Sequence, residues 1–344
     1  MKILVTGGAG FIGSHVAEFY AEKGNEVVVL DNLSRDKLLN KNIANKEYNW
    51  NYLKKYKNVK LIKGDIRDFE LMKKYSVDCD TIVHTAAQTA VTTSVTNPSE
   101  DFSSNAIGTF NMLESARINN VKKIVYCSTN KVYGENVNNV GITQTSKRYN
   151  FEDDYKNGIP ENFPIDLCEH TPYGCSKLTG DIYCQDYSRL YGISAGIFRM
   201  SCIYGTRQFG VEDQGWVAWF TIASILKKPI TIYGDGKQVR DVLYIKDLIN
   251  AYNQFLESKI KTGVYNMGGG SKNTLSLLEL VETIKDLTKI SPKISYSDWR
   301  PSDQKVYISN IAKVQKELNW KPTVTPKDGV AKLVEFVNNN KSIF

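Results

Sequence analysis

The stretch Ile3-Leu4-Val5-Thr6-Gly7-Gly8-Ala9-Gly10-Phe11-Ile12-Gly13 decides the fold. Its first three residues are an apolar run suited to a strand buried on both faces. Ile12, Val16, Phe19 and Tyr20 then recur at helical spacing, which predicts a helix from Phe11 to Lys23 stopped by Gly24. Gly7, Gly10 and Gly13 fall where the strand becomes the helix. A turn that tight needs residues without a Cβ, and it lets a diphosphate approach the backbone and the helix N-terminus. A second strand, Val27 to Leu30, ends in Asp31, about 20 residues past the glycines, where a carboxylate accepts hydrogen bonds from an adenosine ribose. The same carboxylate repels a 2′-phosphate and favours NAD, while Arg35 nearby leaves NADP open.

Outward from this unit the chain alternates strands and helices. Val59 to Ile62 is a third strand leading into Asp65 and Ile66. Thr81 to Thr85 is a fourth, followed by the small residues Ala86 and Ala87. Asp101 to Asn119 reads as a helix, Lys123 to Cys127 as a fifth strand, and Ser194 to Met200 as a sixth. The pattern is α/β: a Rossmann-type doubly wound parallel sheet whose ligands gather at the carboxyl ends of the strands. Small residues after the fourth strand suit a cofactor, and tight strand–loop packing would explain them equally. Residues 135–171 read as a polar loop. After Met200 short strands, the Gly234-Asp235-Gly236 turn and helices near 246–258 and 275–288 suggest a smaller, interleaved α+β substrate portion. The reading assigns 1–200 to the cofactor domain, with 238–258 returning to it, and 201–237 with 259–344 to the substrate portion.

Composition sets bounds. The 344 residues carry 44 basic and 37 acidic side chains, net +7, spread along the chain, and no basic–aromatic module for nucleic acid appears. The Lys/Asn-rich stretch 35–58 reads as a solvated insertion, either a surface helix or a lid over the cofactor. Six cysteines without a CxxC pair and three separated histidines give neither a disulfide framework nor a metal site, which fits a reducing cytosol. The chain opens on a strand, leaving no room for a signal peptide, and no apolar run is long enough to span a membrane.

Chemistry enters at Tyr173-Gly174-Cys175-Ser176-Lys177. Positions i and i+4 share a helix face, and an ammonium beside a phenol favours the phenolate, which can then accept a proton. The fifth strand runs into Ser128-Thr129-Asn130-Lys131-Val132-Tyr133-Gly134, which places a hydroxyl at the cofactor end of the sheet; an ordinary polar loop would look similar.

With the glycine turn, the Thr129 hydroxyl and the Tyr173/Lys177 pair in one chain, the sequence resembles the extended short-chain dehydrogenase/reductase (NAD-dependent epimerase/dehydratase) superfamily over essentially its whole length. Within it the chain is most similar to the CDP-paratose 2-epimerase (CDP-tyvelose epimerase) group. The strings that carry this are AAQTAVTTSVTNP (86–98), STNKVYG (128–134), SCIYGTRQFGVEDQGWVAWF (201–220), YGDGKQVRDVLY (233–244) and DWRPSDQ (298–304). The resemblance implies that Tyr173 is the acid/base, with Lys177 its partner on the nicotinamide ribose and Thr129 the catalytic hydroxyl. It implies cofactor contacts from Gly7, Gly10, Phe11, Ile12, Gly13, Asp31, Asn32, Asp65, Ile66, Ala86 and Ala87, and tightly held NAD, NAD+ at rest. Substrate contacts fall to Thr129, Gln208, Arg240 and Arg300, the two arginines on the nucleotide diphosphate; taken alone, either arginine could equally form a surface ion pair. Cys202 stands where many relatives carry asparagine. Dehydratases of the family use an acidic pair after the threonine, and this chain has Asn130 and Lys131. The implied reaction is inversion at C2 of a CDP-linked dideoxyhexose. A UDP-hexose 4-epimerase, or a non-catalytic NAD-binding regulator, is the alternative. Trp216, Trp219 and Phe220 would meet an apolar sugar or pack a core. The family pairs subunits through helices such as 101–119 and 173–190, so a homo-oligomer, a dimer or tetramer, is expected.

Overall fold

The computed structural model describes residues 1–38, 47–300 and 303–344. The chain forms two compact units, the first comprising 1–132, 171–199 and 249–265 and the second 133–170, 200–248 and 266–344. The stretch 133–170 therefore lies with the second unit, and the segment returning to the first is 249–265, where the sequence reading used 1–200 and 238–258.

The first unit is built on a seven-stranded sheet: β1 (Lys2–Thr6), β2 (Glu26–Asp31), β3 (Val59–Lys63), β4 (Thr81–His84), β5 (Lys123–Thr129), β6 (Ser194–Met200) and β7 (Thr262–Met267). Its order is β3-β2-β1-β4-β5-β6-β7, with the strands from β3 to β5 pairing in parallel. That order reverses direction at β1, as in dinucleotide-binding sheets, and opens a crevice at the strands' carboxyl ends. Ile3, Leu4 and Val5 are fully buried, as are Val27, Val29 and Leu30 beside them. Each such side chain contributes about 2 kcal/mol on leaving water. Leu4, Val28, Met72, Ile82, Met112 and Ile124 belong to one core between sheet and helices.

Two departures from the sequence reading bear on the site. The helix expected over 101–119 is three pieces: Pro98–Phe102, a π-helical turn at Ser103–Ile107, and α2 (Gly108–Ile118). The strand expected to end at Cys127 continues to Thr129, so the hydroxyl is the last residue of β5 rather than part of a loop. The seventh strand, β7, had no counterpart in the sequence reading, because its apolar residues are interrupted by Gly263 and Asn266. Of the stretch 35–58, residues 39–46 lie outside the described residues. Its helix Tyr48–Leu53 docks on the first helix, α1 (Phe11–Glu22), where Tyr52 donates to Glu18 and Tyr56 to Glu22 at 2.8 Å.

The second unit holds a four-stranded sheet of Cys202–Tyr204, Val239–Tyr244, Thr274–Ser276 and Val306–Tyr307, and a parallel pair, Ile230–Tyr233 with Ile294–Ser297. The segment 135–171, expected to be loop, contains a hairpin of Ile142–Gln144 and Tyr149–Phe151.

Candidate active site

The glycine turn is shaped by backbone contact. Gly7 has φ +68°, and a Cβ on it would lie 2.6 Å from the backbone of Ala86; one on Gly13 would lie 2.3 Å from the Gly7 carbonyl. Strand, turn and helix thus pack backbone to backbone against the exit of β4, which any side chain there would push apart. At the end of β2, Asp31 accepts the Ala9 N–H at 2.9 Å and the Leu33 N–H at 2.8 Å. Burial pushes its carboxyl up, and those two backbone donors pull it back. One backbone bond on each oxygen leaves lone pairs for a ribose diol. Beyond β3, Asn32 donates to Asp65 at 2.9 Å. Burial would raise the Asp65 carboxyl, but the bonds from Arg67 and Asn32 outweigh it and bring it to about 2. Ile66 is buried against Gly108. Gly7, Gly10, Phe11, Ile12, Gly13, Asp31, Asn32, Asp65, Ile66, Ala86 and Ala87 all follow the carboxyl ends of β1 to β4, so the residues present fit a dinucleotide.

The helix α3 (Pro172–Tyr191) brings the reactive pair. Thr171 caps it through the Gly174 N–H at 3.3 Å, Pro172 opens it, and Gly192 closes it in the left-handed conformation. The cap puts Tyr173 in the first turn, its own N–H bonded to the Ser94 hydroxyl at 3.2 Å, and Lys177 one turn later. Tyr173 is half-buried, and the Thr129 hydroxyl at the end of β5 lies close enough to its phenol to favour the phenolate. Lys177 is 3% exposed, with Nζ 4.4 Å from the centre of the Tyr126 ring. Burial pushes the Tyr173 phenol up to about 12, with the Thr129 hydroxyl acting the other way. Burial pulls the Lys177 ammonium down to about 8, against the pull of Cys127, Cys184, Asp181 and Asp101. The chain's own groups therefore leave the phenol protonated at neutral pH.

Beneath the pair lies a polar layer that sequence reasoning missed. The Ser176 hydroxyl donates to Asp101 at 2.5 Å, and the Asn105 amide reaches Asp101, Ser176 and the Gln88 carbonyl at 3.0–3.1 Å. Asn105 sits in the π turn, a distortion common at functional sites. Asp181, four residues past Lys177, is fully buried in a bidentate pair with Arg199 at 3.0 and 3.1 Å and accepts the Ser128 hydroxyl at 2.6 Å. His84 bridges Thr6 (2.8 Å) and Thr109 (3.2 Å), and burial with the nearby Lys177 charge lowers it to about 3, so the ring is neutral. The Ser before Lys177 was the available sequence signal; the π turn has none.

In the second unit, Arg240 pairs with Asp303 at 2.7 Å, and Arg300 with Asp213 at 2.9 Å, its guanidinium 4.0 Å above the Tyr233 ring. The two arginines are thus held separately. Gln208 donates to the Ile203 carbonyl at 3.2 Å, which turns its buried, unpaired carbonyl oxygen the other way. Cys202 lies beside Trp216, and burial with Asp241 raises its thiol to about 12 despite Trp216 and Arg240. Trp216 and Trp219 are half-buried on the helix Trp216–Ile225, whereas Phe220 belongs to the core. Among the described residues no helix is long and apolar enough to cross a membrane.

These features coincide with what the chain resembles. The model of the NAD dependent epimerase/dehydratase family matches residues 3–268. The CDP-paratose 2-epimerase of Salmonella typhi is 40% identical, over 98% of this chain and all of its own length. The crystal structure of a UDP-glucose 4-epimerase with UDP-glucose from Thermotoga maritima superposes with a TM-score of 0.82 at 30% identity, covering 99% of this chain and 100% of that one. A Thermus thermophilus UDP-glucose 4-epimerase complexed with NAD gives 0.80 at 29%, with the same coverage. A glycine turn without room for side chains, a carboxylate at the end of β2 and a full-length match leave one assignment: the chain belongs to the NAD-dependent epimerase/dehydratase family, and its cofactor is NAD.

Proposed function

We propose that this enzyme inverts C2 of a CDP-linked 3,6-dideoxyhexose, converting CDP-paratose to CDP-tyvelose. The observation that carries the chemistry is the Thr129 hydroxyl beside the Tyr173 phenol, with Lys177 one helical turn on. The full-length similarity to a CDP-paratose 2-epimerase supports the sugar. NAD+, held at the glycine turn and Asp31, would supply the hydride acceptor and later donor, and its positive charge would favour the phenolate that the chain's own groups leave protonated. Tyr173 removes the proton from the hydroxyl being oxidised and gives it back to the same oxygen. Thr129 donates to that oxygen and orients it. Lys177 keeps a positive charge beside the phenol. Inversion requires the 2-keto sugar to present its other face before reduction, so the nucleotide must stay held while the sugar turns. Arg240 and Arg300 suit that task, since a guanidinium grips phosphate oxygens in pairs; each would exchange its present carboxylate for the diphosphate. Trp216, beside Cys202 where relatives carry a polar amide, offers an aromatic face to a sugar with few hydroxyls.

A dehydratase is disfavoured, because Asn130 and Lys131 supply no carboxylate beside Thr129. Inversion at C4 of a UDP-hexose is the second reading, favoured by the structural likeness to the Thermotoga enzyme. Six free thiols support a reducing, cytoplasmic setting. The helices α2 and α3 present Phe110, Ile118, Ile182 and Leu190 outward, and we assign that face to a second copy of the chain.

Proton NMR of CDP-paratose incubated with the purified protein, without added NAD, tests the reading. Appearance of CDP-tyvelose is expected, and its absence from Tyr173→Phe protein that still carries NAD. Epimerisation of a UDP-hexose instead, with CDP-paratose untouched, would overturn the substrate but keep the chemistry.

A further inference from the structure

Asp101 is a fully buried carboxylate beside the Tyr173–Lys177 pair, and the mechanism above does not use it. It lies in Pro98–Phe102, immediately before the π turn. Ser176 donates to its Oδ2 at 2.5 Å and Asn105 to its Oδ1 at 3.1 Å. Asn105 in turn accepts the Gln88 N–H at 2.8 Å and donates to the Gln88 carbonyl at 3.0 Å. The π turn and the first turn of α3 therefore meet at one carboxylate, and the loop leaving β4 is joined to it through Asn105. Burying a carboxylate costs several kcal/mol unless hydrogen bonds and an opposite charge offset it. The hydrogen bonds come from Ser176 and Asn105, and the charge from Lys177, the residue after Ser176. Burial raises the Asp101 carboxyl, and Ser176 and Lys177 pull it back. An amide would fill the same space without that penalty. What the carboxylate adds is negative charge next to Lys177.

We propose that Asp101 is a positioning residue for proton transfer: through Ser176 it fixes the first turn of α3, and its charge holds Lys177 as the ammonium that Tyr173 needs. This rests on the roles given above to Tyr173 and Lys177. The other groups facing Lys177 are Asp181 and Cys184 from α3, Cys127 and Tyr126 from β5, and His84 from β4. Burial raises the Cys127 and Cys184 thiols and the Tyr126 phenol, which stay protonated, and His84 is neutral. Asp181 also raises Lys177, though Arg199 holds it in a bidentate pair. Asp101 has no arginine partner among the described residues, and its field acts on both members of the pair. It favours a bound proton on Lys177 and on Tyr173 alike. Removing it therefore lowers both apparent pKa values of the coupled pair.

Asp101→Asn keeps the shape and removes the charge. With NAD supplied, both limbs of the kcat–pH profile should move to lower pH by about one pH unit, with KM little changed. The 13Cε resonance of Lys177, followed in a Tyr173→Phe background, should titrate lower by a similar amount when Asp101→Asn is added. That second readout needs no sugar. An unmoved Lys177 midpoint overturns the proposal whatever the turnover. A lowered midpoint in an enzyme inert toward every nucleotide sugar tried would sink the functional reading and leave Asp101's role standing. If Asp101→Asn does not fold, Ser176→Ala takes its place: losing the hydroxyl neutralises part of Asp101, and the midpoint should move the same way by less. No movement there also overturns it.

Discussion

Lys177 carries its charge where burial opposes it, and that conflict has a measurable consequence for stability. Its ammonium is lowered to about 8 in the folded protein, against 10.5 as an ordinary lysine. Between those two values the unfolded chain binds more protons than the folded one, so the lysine's destabilising contribution is full below pH 8 and fades as pH rises toward 10.5. Lys177→Met should therefore abolish turnover and raise the melting temperature at pH 7. Its stability advantage over the native chain should shrink by about 1 kcal/mol between pH 7 and pH 9. A pH-independent advantage, or none, in thermal melts at the two pH values would show that Lys177 is not destabilised by burial. The Tyr/Lys spacing was legible in the sequence because it needs only helical geometry. The depression of Lys177 was not, since it depends on Tyr126 and the sheet packed over it.

At the level of elements, the glycine turn and the π turn behave oppositely toward a reader of sequence. Gly7 advertises itself, because a left-handed φ of +68° and a Cβ 2.6 Å from the Ala86 backbone leave glycine the one residue that fits without strain. Gly7→Ala should lose NAD on purification and 1–3 kcal/mol of stability, about what a strained left-handed residue costs. Gly24→Ala makes the control: its φ of +77° is equally strained, but nothing lies within 4 Å, so stability falls while NAD, read by absorbance of the denatured supernatant, is retained. Equal NAD in both variants would remove the close approach from the account. The π turn has no such signature. Ser103–Ile107 reads as uninterrupted helix, and the extra residue that turns Asn105 toward Ser176 is fixed by packing against α3 and the loop after β4. The buried Asp181–Arg199 pair is hidden in the same way, its partners 18 residues apart on a helix and a strand. Breaking such a pair from one side costs about 3–5 kcal/mol, so it belongs to the scaffold that holds α3 against the sheet.

For the whole molecule, association is the open property. Phe110 on α2 and Tyr183 on α3 meet edge to face 6.1 Å apart while both remain about half exposed, and Ile182 and Leu190 extend the same apolar surface. Covering that surface with a second copy would remove it from water. Ile182→Asp with Phe110→Asp should therefore convert the native assembly to monomer in light scattering after size exclusion, with each subunit still binding NAD. A native chain that is already monomeric at micromolar concentration would remove the pairing from the proposal.

What the sequence determined by itself was local or periodic: apolar strands, the side-chain-free turn, Asp31 at the end of β2, and the Tyr173/Lys177 spacing. Each of these is written into neighbouring residues, so the doubly wound sheet and its cofactor end could be read directly. Only the tertiary structure decided which polar groups lie under the reactive pair. It joined Asp101, Asn105 and Ser176 from separate segments, set Arg199 against Asp181, placed Cys202 beside Trp216, and turned Arg240 and Arg300 toward different carboxylates. The physical reason is burial. A buried polar group must find partners, and those partners are chosen by which segments the fold packs together, not by their distance along the chain.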